Sequence, residues 1–112
     1  MNWEITYYSE RVRDTVLDMP SGIQADYLRL TEVMRQHGVD LRMPHSRAMG
    51  SGLFELRPQG PEGVGRVFYC VSIGRVIVVL HSFVKKTQET PKSELDLARR
   101  RLKEVKHGRR PL

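Results

Sequence analysis

The apolar segment Val76-Ile77-Val78-Val79-Leu80 constrains the fold of this chain more than any other feature of its sequence. Successive side chains of a strand point to opposite faces, so a strand that is apolar at every position is buried on both faces. Five residues are far too few to span a membrane, which takes about 20 apolar residues. We therefore predict a central strand of a sheet that is covered on both sides.

Three strands make up most of the second half of the chain, over Leu53–Arg57, Arg66–Ile73 and Val76–Phe83. Gly74-Arg75 leaves a two-residue connection with glycine first, which predicts a type II′ hairpin turn. The segment Pro58–Gly65 holds three glycines and two prolines. We interpret it, and the glycine-containing segment before Leu53, as loops.

The first half of the chain predicts a short strand followed by a helical hairpin. Apolar and polar residues alternate over Trp3–Tyr7, as in a strand. Ser9 can cap a first helix that ends before Pro20. Ser21 opens a capping box for a second helix, which Gly38 ends. Apolar residues recur at helical spacing in both helices, so the hairpin should cover one face of the sheet.

A third helix follows the strands, with Thr90 as its cap and Pro91 at its first position. Its apolar stripe consists of Leu95, Ala98, Leu102 and Val105. The order β-α-α-β-β-β-α predicts an α+β fold, with a helical hairpin packed on a twisted antiparallel sheet and a C-terminal helix. We expect one domain over residues 1–108 and a frayed tail over residues 109–112.

The charge of the chain is unevenly distributed. Residues 1–84 contain nine basic and nine acidic residues, whereas residues 85–112 contain ten basic and four acidic ones, which accounts for the net charge of +6. This asymmetry predicts a polyanionic partner, either nucleic acid or an acidic protein. The alternative is a solvated basic tail without a partner.

Composition narrows the class of protein further. A length of 112 residues fits one domain. The N-terminus has no signal-peptide pattern, and a single cysteine excludes an internal disulfide, so we expect a cytoplasmic protein without a membrane partner. The four histidines lack metal-ligand spacing, and we expect neither a metal nor another cofactor.

Basic side chains occur at the ends of the predicted strands. If the more apolar side of each strand meets the helical hairpin, Arg57 and Arg66 project from the uncovered face of the sheet. Lys85 and Lys86 follow the end of the third strand. Four cations around one concave face would bind phosphate, and Phe68 could stack on a base. The alternative is four unrelated solvated charges.

Three motifs resemble the HigB-like branch of the RelE/ParE toxin superfamily. They are Gly52-Leu53-Phe54-Glu55-Leu56-Arg57, Arg66-Val67-Phe68-Tyr69, and the segment Leu80–Pro91, which reads LHSFVKKTQETP. The third motif is long and specific, because a strand that ends in Lys-Lys-Thr-Gln is followed by Thr-Pro and a helix. The resemblance extends over nearly the whole chain.

The resemblance implies a RelE-type fold and the toxin of a bacterial or phage toxin–antitoxin pair. Such toxins cleave mRNA, usually on the translating ribosome, and an antitoxin, commonly of the helix-turn-helix type, neutralises them. Arg57 and Arg66 correspond by motif to the family's basic strand residues, and Lys85 and Lys86 to its basic pair. Glu55 departs from the pattern, since RelE has a second basic residue there.

A metal-free cleavage needs a base, an acid and groups that stabilise the phosphate charge. Arg57 and Arg66 suit the phosphate, and Lys85 or Lys86 could transfer protons. Further candidates for catalysis or substrate binding are Phe68, Tyr69, His81 and Gln88. Candidates for RNA and ribosome binding are Lys92, Arg99, Arg100, Lys103 and Lys106. Lys92 falls where RelE has a catalytic tyrosine, so the family's acid–base assignment does not transfer whole.

Three alternatives stay open at this point. The chain could be an RNase that needs no ribosome, a ParE-like inhibitor that binds DNA gyrase without catalysis, or a plain RNA- or DNA-binding module. The Lys-Lys-Thr-Gln strand end and the basic cleft favour an RNase over the gyrase inhibitor.

Overall fold

The computed structural model describes residues 2–85 and 90–112, and of Lys85 only the backbone. Within these ranges the elements are β1 (Glu4–Tyr7), α1 (Glu10–Leu17), α2 (Ser21–His37), β2 (Ser46–Gly50), β3 (Leu53–Leu56), β4 (Gln59–Gly60), β5 (Gly63–Ser72), β6 (Val76–Lys85) and α3 (Lys92–Lys106). The predicted α+β fold is confirmed, although β2 and β4 lie in segments that we interpreted as loops. None of the helices in the described ranges has the length and apolar character to cross a membrane.

The strands form one sheet in the order β1-β6-β5-β3-β2. The short strand β4 lies off this path and pairs with β5. The pairs β3·β5 and β5·β6 are antiparallel, as predicted. The additional pairs β2·β3 and β4·β5 are also antiparallel, whereas β1 runs parallel to β6. The apolar segment Val76–Leu80 lies in β6, between β1 and β5. Ile77, Val78, Val79 and Leu80 are each at most 1% exposed. The prediction of a central strand buried on both faces is therefore confirmed.

Helices cover both faces of this sheet. One apolar core lies between the sheet and the hairpin of α1 and α2, and includes Tyr27, Leu56, Val67 and Tyr69. A second core lies under α3 and consists of Leu53, Phe68, Cys70, Val78, Leu80, Ala98 and Leu102. The sheet face opposite the hairpin is thus covered by α3 over much of its area. Our expectation that this face is uncovered is wrong there.

The ends of the helices were predicted with mixed success. Ser9 caps α1, since its Oγ accepts a hydrogen bond from Val12 N at 3.2 Å. The capping box at Ser21 is wrong, because α2 begins at Ser21 itself and Pro20 stands at the cap without a side-chain hydrogen bond. Pro91, and not Thr90, occupies the cap position of α3.

The glycine-rich segment between β3 and β5 forms a short hairpin in which Gly60 pairs with Gly63. This hairpin lies against the N-terminus of α2. A Cβ atom on Gly60 would be 2.5 Å from the backbone nitrogen of Ile23, so only glycine allows this approach. The β5–β6 connection is one residue longer than predicted, with positive φ at both Gly74 and Arg75.

The C-terminal residues, for which the sequence predicts a frayed tail, contact β1 in the structure. Leu112 N donates a hydrogen bond to Tyr7 O at 2.9 Å, and the Thr6 hydroxyl donates to Leu112 O. The guanidinium carbon of Arg109 lies 4.0 Å from the centre of the Tyr8 ring. These contacts cover the C-terminal end of β1 at the edge of the sheet.

Candidate functional site

A β-bulge in β6 decides where His81 points. Phe68 pairs with His81, and the following residue Tyr69 pairs with Val79, so Leu80 is an extra residue in β6. A bulge shifts the alternation of side chains by one position. His81 therefore lies on the same face as Phe68, towards α3, and not on the face of α1 and α2.

Four residues form one row across the strands on this face. Arg47 of β2 pairs with Glu55 of β3, which pairs with Phe68 of β5, which pairs with His81 of β6. Neighbouring strands are about 4.8 Å apart, so the backbones of Glu55 and His81 are about 10 Å apart. Arg66 precedes Phe68 by two positions on β5 and therefore shares this face.

Glu55 is a buried carboxylate that holds two arginines at the strand ends. Its oxygens lie 3.7 Å from Arg66 Nε and 3.9 Å from Arg57 Nε, and the Thr90 hydroxyl donates to it at 3.3 Å. The two contacts to arginine are ion pairs, since they are too long for hydrogen bonds. We define Arg57, Glu55 and Arg66 as the Arg–Glu–Arg cluster.

The cluster retains buried hydrogen-bond donors without acceptors. Within residues 2–85 and 90–112, no hydrogen bond is made by Arg57 Nε or by Nε and Nη1 of Arg66. Arg66 is 3% exposed, whereas the Arg57 side chain is 24% exposed and reaches solvent. Buried donors of this kind favour an anion as an additional partner.

The electrostatics of the cluster are positive. Burial lowers the pKa of Arg66, Glu55 opposes that change, and Arg57 and Arg47 lower the pKa further. A guanidinium nevertheless stays charged at neutral pH. Arg47, Arg57 and Arg66 therefore lie around one carboxylate, and the net positive charge of the site attracts a phosphate.

His81 and Glu94 form a second pair on this face. The Nε2 atom of His81 contacts a carboxylate oxygen of Glu94, which lies in the first turn of α3. The His81 ring packs parallel to Phe68, with centroids 6.4 Å apart, and 6.1 Å from the Phe83 ring. The side chains of His81 and Glu94 are 16% and 31% exposed, so the pair is fixed in orientation and still open to solvent.

The structure places the sequence-predicted site residues in different surroundings. It brings Arg57 and Arg66 together through Glu55. His81 lies in the same cross-strand row as Glu55. Lys86, Gln88 and the side chain of Lys85 lie outside the described residues. From the sequence, Glu55 is only a departure from the family pattern. Glu94 was not predicted, because its position three residues after the helix cap carries no signal of its contact with His81.

Phe68 and Tyr69 do not lie where a substrate could contact them. Phe68 is fully buried under α3, so its ring offers no free face for the predicted stacking on a base in this structure. Tyr69 is fully buried on the opposite face, where its hydroxyl donates to Val39 O. Burial raises the pKa of Tyr69, as expected for a phenol in an apolar core.

The predicted RNA-binding cations of α3 divide into two groups. Arg99 donates to Met49 O at 2.8 Å and Lys106 to Ser51 O at 2.9 Å, so both hold α3 to the β2–β3 connection. Lys92, Arg100 and Lys103 are exposed. The second group is the better candidate for contacts with an external polyanion.

Groups of three or more His, Cys, Asp or Glu side chains that could hold a metal ion are absent from the described part of the chain. The single cysteine, Cys70, lies in the core under α3, and burial raises its pKa to about 11. The thiol is therefore a packing group in this structure and not an accessible nucleophile.

Comparisons with known proteins agree with this architecture. The sequence profile of the family described as phage-derived protein Gp49-like matches residues 14–103. No curated protein sequence gives a significant match. A chain in the crystal structure of the archaeal RelE–RelB complex from Pyrococcus horikoshii OT3 superposes with a TM-score of 0.54 at 18% identity, over 77% of this chain and 98% of that chain. The fold is therefore RelE-like.

Proposed function

The chain belongs to the Gp49-like family of phage-derived proteins, and from this premise and its RelE-like fold we propose that it is the toxin of a type II toxin–antitoxin pair. We propose that it cleaves mRNA on the translating ribosome as a metal-independent endoribonuclease. The resemblance of the motif Leu80–Pro91 supports our assignment to the HigB-like branch, for which we propose a cognate antitoxin of the helix-turn-helix type as the partner. The observation that carries the proposal is that the Arg–Glu–Arg cluster and the His81–Glu94 pair lie on one sheet face, with Glu55 and His81 in the same cross-strand row.

The proposed reaction is an internal transesterification. The ribose 2′-oxygen forms a bond to the adjacent phosphorus, and the bond from phosphorus to the 5′-oxygen of the next nucleotide breaks. A base accepts the proton of the 2′-hydroxyl, and an acid donates a proton to the leaving 5′-oxygen. The products are a 2′,3′-cyclic phosphate and a 5′-hydroxyl.

The Arg–Glu–Arg cluster suits the scissile phosphate. Charge accumulates on the phosphoryl oxygens as the new bond forms, and fixed guanidinium donors stabilise it without reorganisation. Arg57 reaches solvent and is placed to contact the phosphate directly. Arg66 is buried beside Glu55, so it adds positive charge from the protein interior. It also positions Arg57 through the shared carboxylate.

The His81–Glu94 pair suits proton transfer. An imidazole is a common general acid or base, and a carboxylate on one ring nitrogen fixes the orientation of the ring. We assign His81 as acid or base and Glu94 as its positioning residue. Lys85 and Lys86, predicted from the sequence, are candidates for the complementary proton transfer.

The proposed function is tested by induced expression in bacteria, followed by mapping of RNA ends that carry a 5′-hydroxyl. We expect the wild-type chain to arrest growth and to cut mRNA in phase with codons. His81→Gln should reduce cleavage by about 100-fold or more, the usual contribution of a general acid or base. Glu94→Gln should reduce cleavage less, and His37→Gln on the exposed end of α2 is the matched control.

A substitution of Arg66 alone leaves a buried carboxylate without its nearest partner and endangers folding. The double variant Glu55→Gln/Arg66→Gln removes both charges and leaves a polar amide side chain at each position. We expect it to accumulate as folded protein without toxicity. Intact mRNA together with loss of DNA supercoiling would instead identify a gyrase inhibitor, and equal cleavage of naked RNA would contradict the ribosome dependence.

A further inference from the structure

A polar cavity lies beside β6 where β1 ends. β1 pairs with β6 only as far as Tyr7 and Val79, whereas β6 continues to Lys85. The space beyond the end of β1 is bounded by α1, β6 and α3 and has a volume of about 230 Å³. Its lining residues are Arg11, Val12, Thr15, His81, Ser82 and Arg101.

Arg101 presents a fixed guanidinium to this cavity. Its Nη1 donates to Leu80 O at 2.8 Å, the carbonyl of the bulge residue, and its guanidinium carbon lies 4.8 Å from the centre of the Tyr8 ring. That hydrogen bond uses one of five N–H donors, and no other hydrogen bond of Arg101 occurs within residues 2–85 and 90–112. Burial lowers the pKa of Arg101, so its charge is partly desolvated and interacts strongly with a nearby anion.

Ser82 supplies a second donor that lacks a partner. Ser82 is 4% exposed and lines the cavity, and its Oγ makes no hydrogen bond to any described residue. An unsatisfied buried hydroxyl is costly, and its retention in a polar cavity points to a ligand that accepts the hydrogen bond. Arg11 adds a second guanidinium at the exposed mouth of the same cavity.

The lining residues include two arginines and no carboxylate. The cavity therefore selects an anion, and paired guanidinium groups with a hydroxyl match the oxygens of a phosphate. His81 belongs both to this lining and to the site described above. Arg66 pairs with Phe83, which is two residues, or about 7 Å, along β6 from His81. His81 therefore lies between the cavity and the Arg–Glu–Arg cluster.

We propose that the Arg11–Ser82–Arg101 cavity binds a backbone phosphate of the single-stranded nucleic acid whose scissile phosphate lies at the Arg–Glu–Arg cluster. The proposal rests on the proposed function for the identity of the polyanion. The strand then passes His81 with one phosphate on either side of the imidazole. The cavity is thereby a positioning subsite that holds the strand while the adjacent bond reacts.

Binding of a 2′-O-methylated RNA oligonucleotide to the purified full chain tests this subsite without any cleavage. Arg11→Gln should weaken binding several-fold and reduce the slope of log affinity against log salt by about 0.7, the value for one phosphate contact on a single strand. Ser82→Ala should also weaken binding, without loss of stability, because it removes a hydroxyl that has no partner. Arg13→Gln, on the same helix and paired with Asp14, is the matched control and should bind like wild type.

Unchanged affinity and salt slope in both Arg11→Gln and Ser82→Ala would overturn the subsite, whether or not the chain cuts RNA. Dependence on Arg11 and Ser82 in a chain that cuts no RNA would retain the subsite and reject the ribonuclease function. Inorganic phosphate is the second probe. Phosphate could perturb the NMR signals of Arg11 and Ser82 while both substitutions leave the affinity for the oligonucleotide unchanged. The cavity would then be a site for a free anion, and the assignment to a nucleic acid strand would be wrong.

Discussion

Glu55 determines what kind of site the strand ends can form. It replaces a basic side chain expected from the resemblance to RelE with a buried carboxylate, and this carboxylate holds Arg57 and Arg66 within 4 Å of its oxygens. Without it, two guanidinium groups would repel each other at the edge of the core. The carboxylate neutralises part of that charge and leaves a net positive cluster, which is the state that a phosphate-binding site requires.

At the residue scale, the stability of a Phe68 variant distinguishes a structural role of this side chain from a role in substrate binding. We expect Phe68→Ala to lower the free energy of unfolding by about 3–5 kcal/mol, because it opens a cavity between α3 and the sheet. Urea denaturation measures this change. Ile73→Ala is the control, since Ile73 is 96% exposed and should change stability by less than about 0.5 kcal/mol. A Phe68→Ala protein of unchanged stability that fails to bind RNA would restore the stacking role.

The residue-scale predictions from sequence succeeded where alternation alone decides. Arg57 and Arg66 were predicted to share a face, and Glu55 brings them together in the structure. The burial of Phe68 was missed, because alternation assigns a side chain to a face but does not tell what covers that face. That requires the position of α3, which depends on contacts between residues far apart in sequence.

At the scale of elements, α2 owes its N-terminal cap to a distant loop. The backbone N–H of Gly22 donates to the Glu62 carboxylate at 3.0 Å, and this hydrogen bond lowers the pKa of Glu62. A carboxyl with a lowered pKa in the folded state stabilises the fold above its unfolded pKa of about 4.3. That stabilisation is lost as the pH falls through the lower folded value.

We therefore expect Glu62→Gln to unfold at a lower urea concentration than wild type at pH 7. The difference should close as the pH falls below about 4, since the wild-type carboxyl is then protonated too. Urea denaturation between pH 3 and pH 7 provides the test. Glu4→Gln, an exposed substitution on β1, should show no such convergence. A constant difference across this pH range would contradict the capping role of Glu62.

The elements that the sequence did not reveal share a physical cause. β2 has the sequence Ser-Arg-Ala-Met-Gly, which has little intrinsic strand propensity and becomes a strand by pairing with β3. The bulge at Leu80 lies at the end of an all-apolar segment, where a shift in alternation leaves no trace in the pattern. The cap of α2 was misassigned to Ser21 because Glu62 is distant in sequence. Tertiary contacts decide each case.

At the scale of the whole molecule, the two sheet faces have different roles. The face under α1 and α2 is an apolar core, whereas the face under α3 combines a core at one end with the Arg–Glu–Arg cluster and His81 at the other. The net charge was predicted from sequence to lie in residues 85–112, and α3 places much of it on this same side. A polyanion attracted by α3 would therefore arrive at the site and not at the opposite face.

Arg100 and Lys103 of α3 test this arrangement, because both are exposed and neither holds α3 to the β2–β3 connection. We expect Arg100→Gln/Lys103→Gln to weaken binding of a 2′-O-methylated RNA oligonucleotide and to reduce the salt slope by about 1.4, the value for two phosphate contacts. Stability should change by less than about 0.5 kcal/mol per substitution. The matched control is Arg29→Gln/Arg35→Gln on α2, which makes the same change in net charge on the other side of the sheet. Equal weakening by both pairs would show that net charge alone drives binding and that α3 has no directing role.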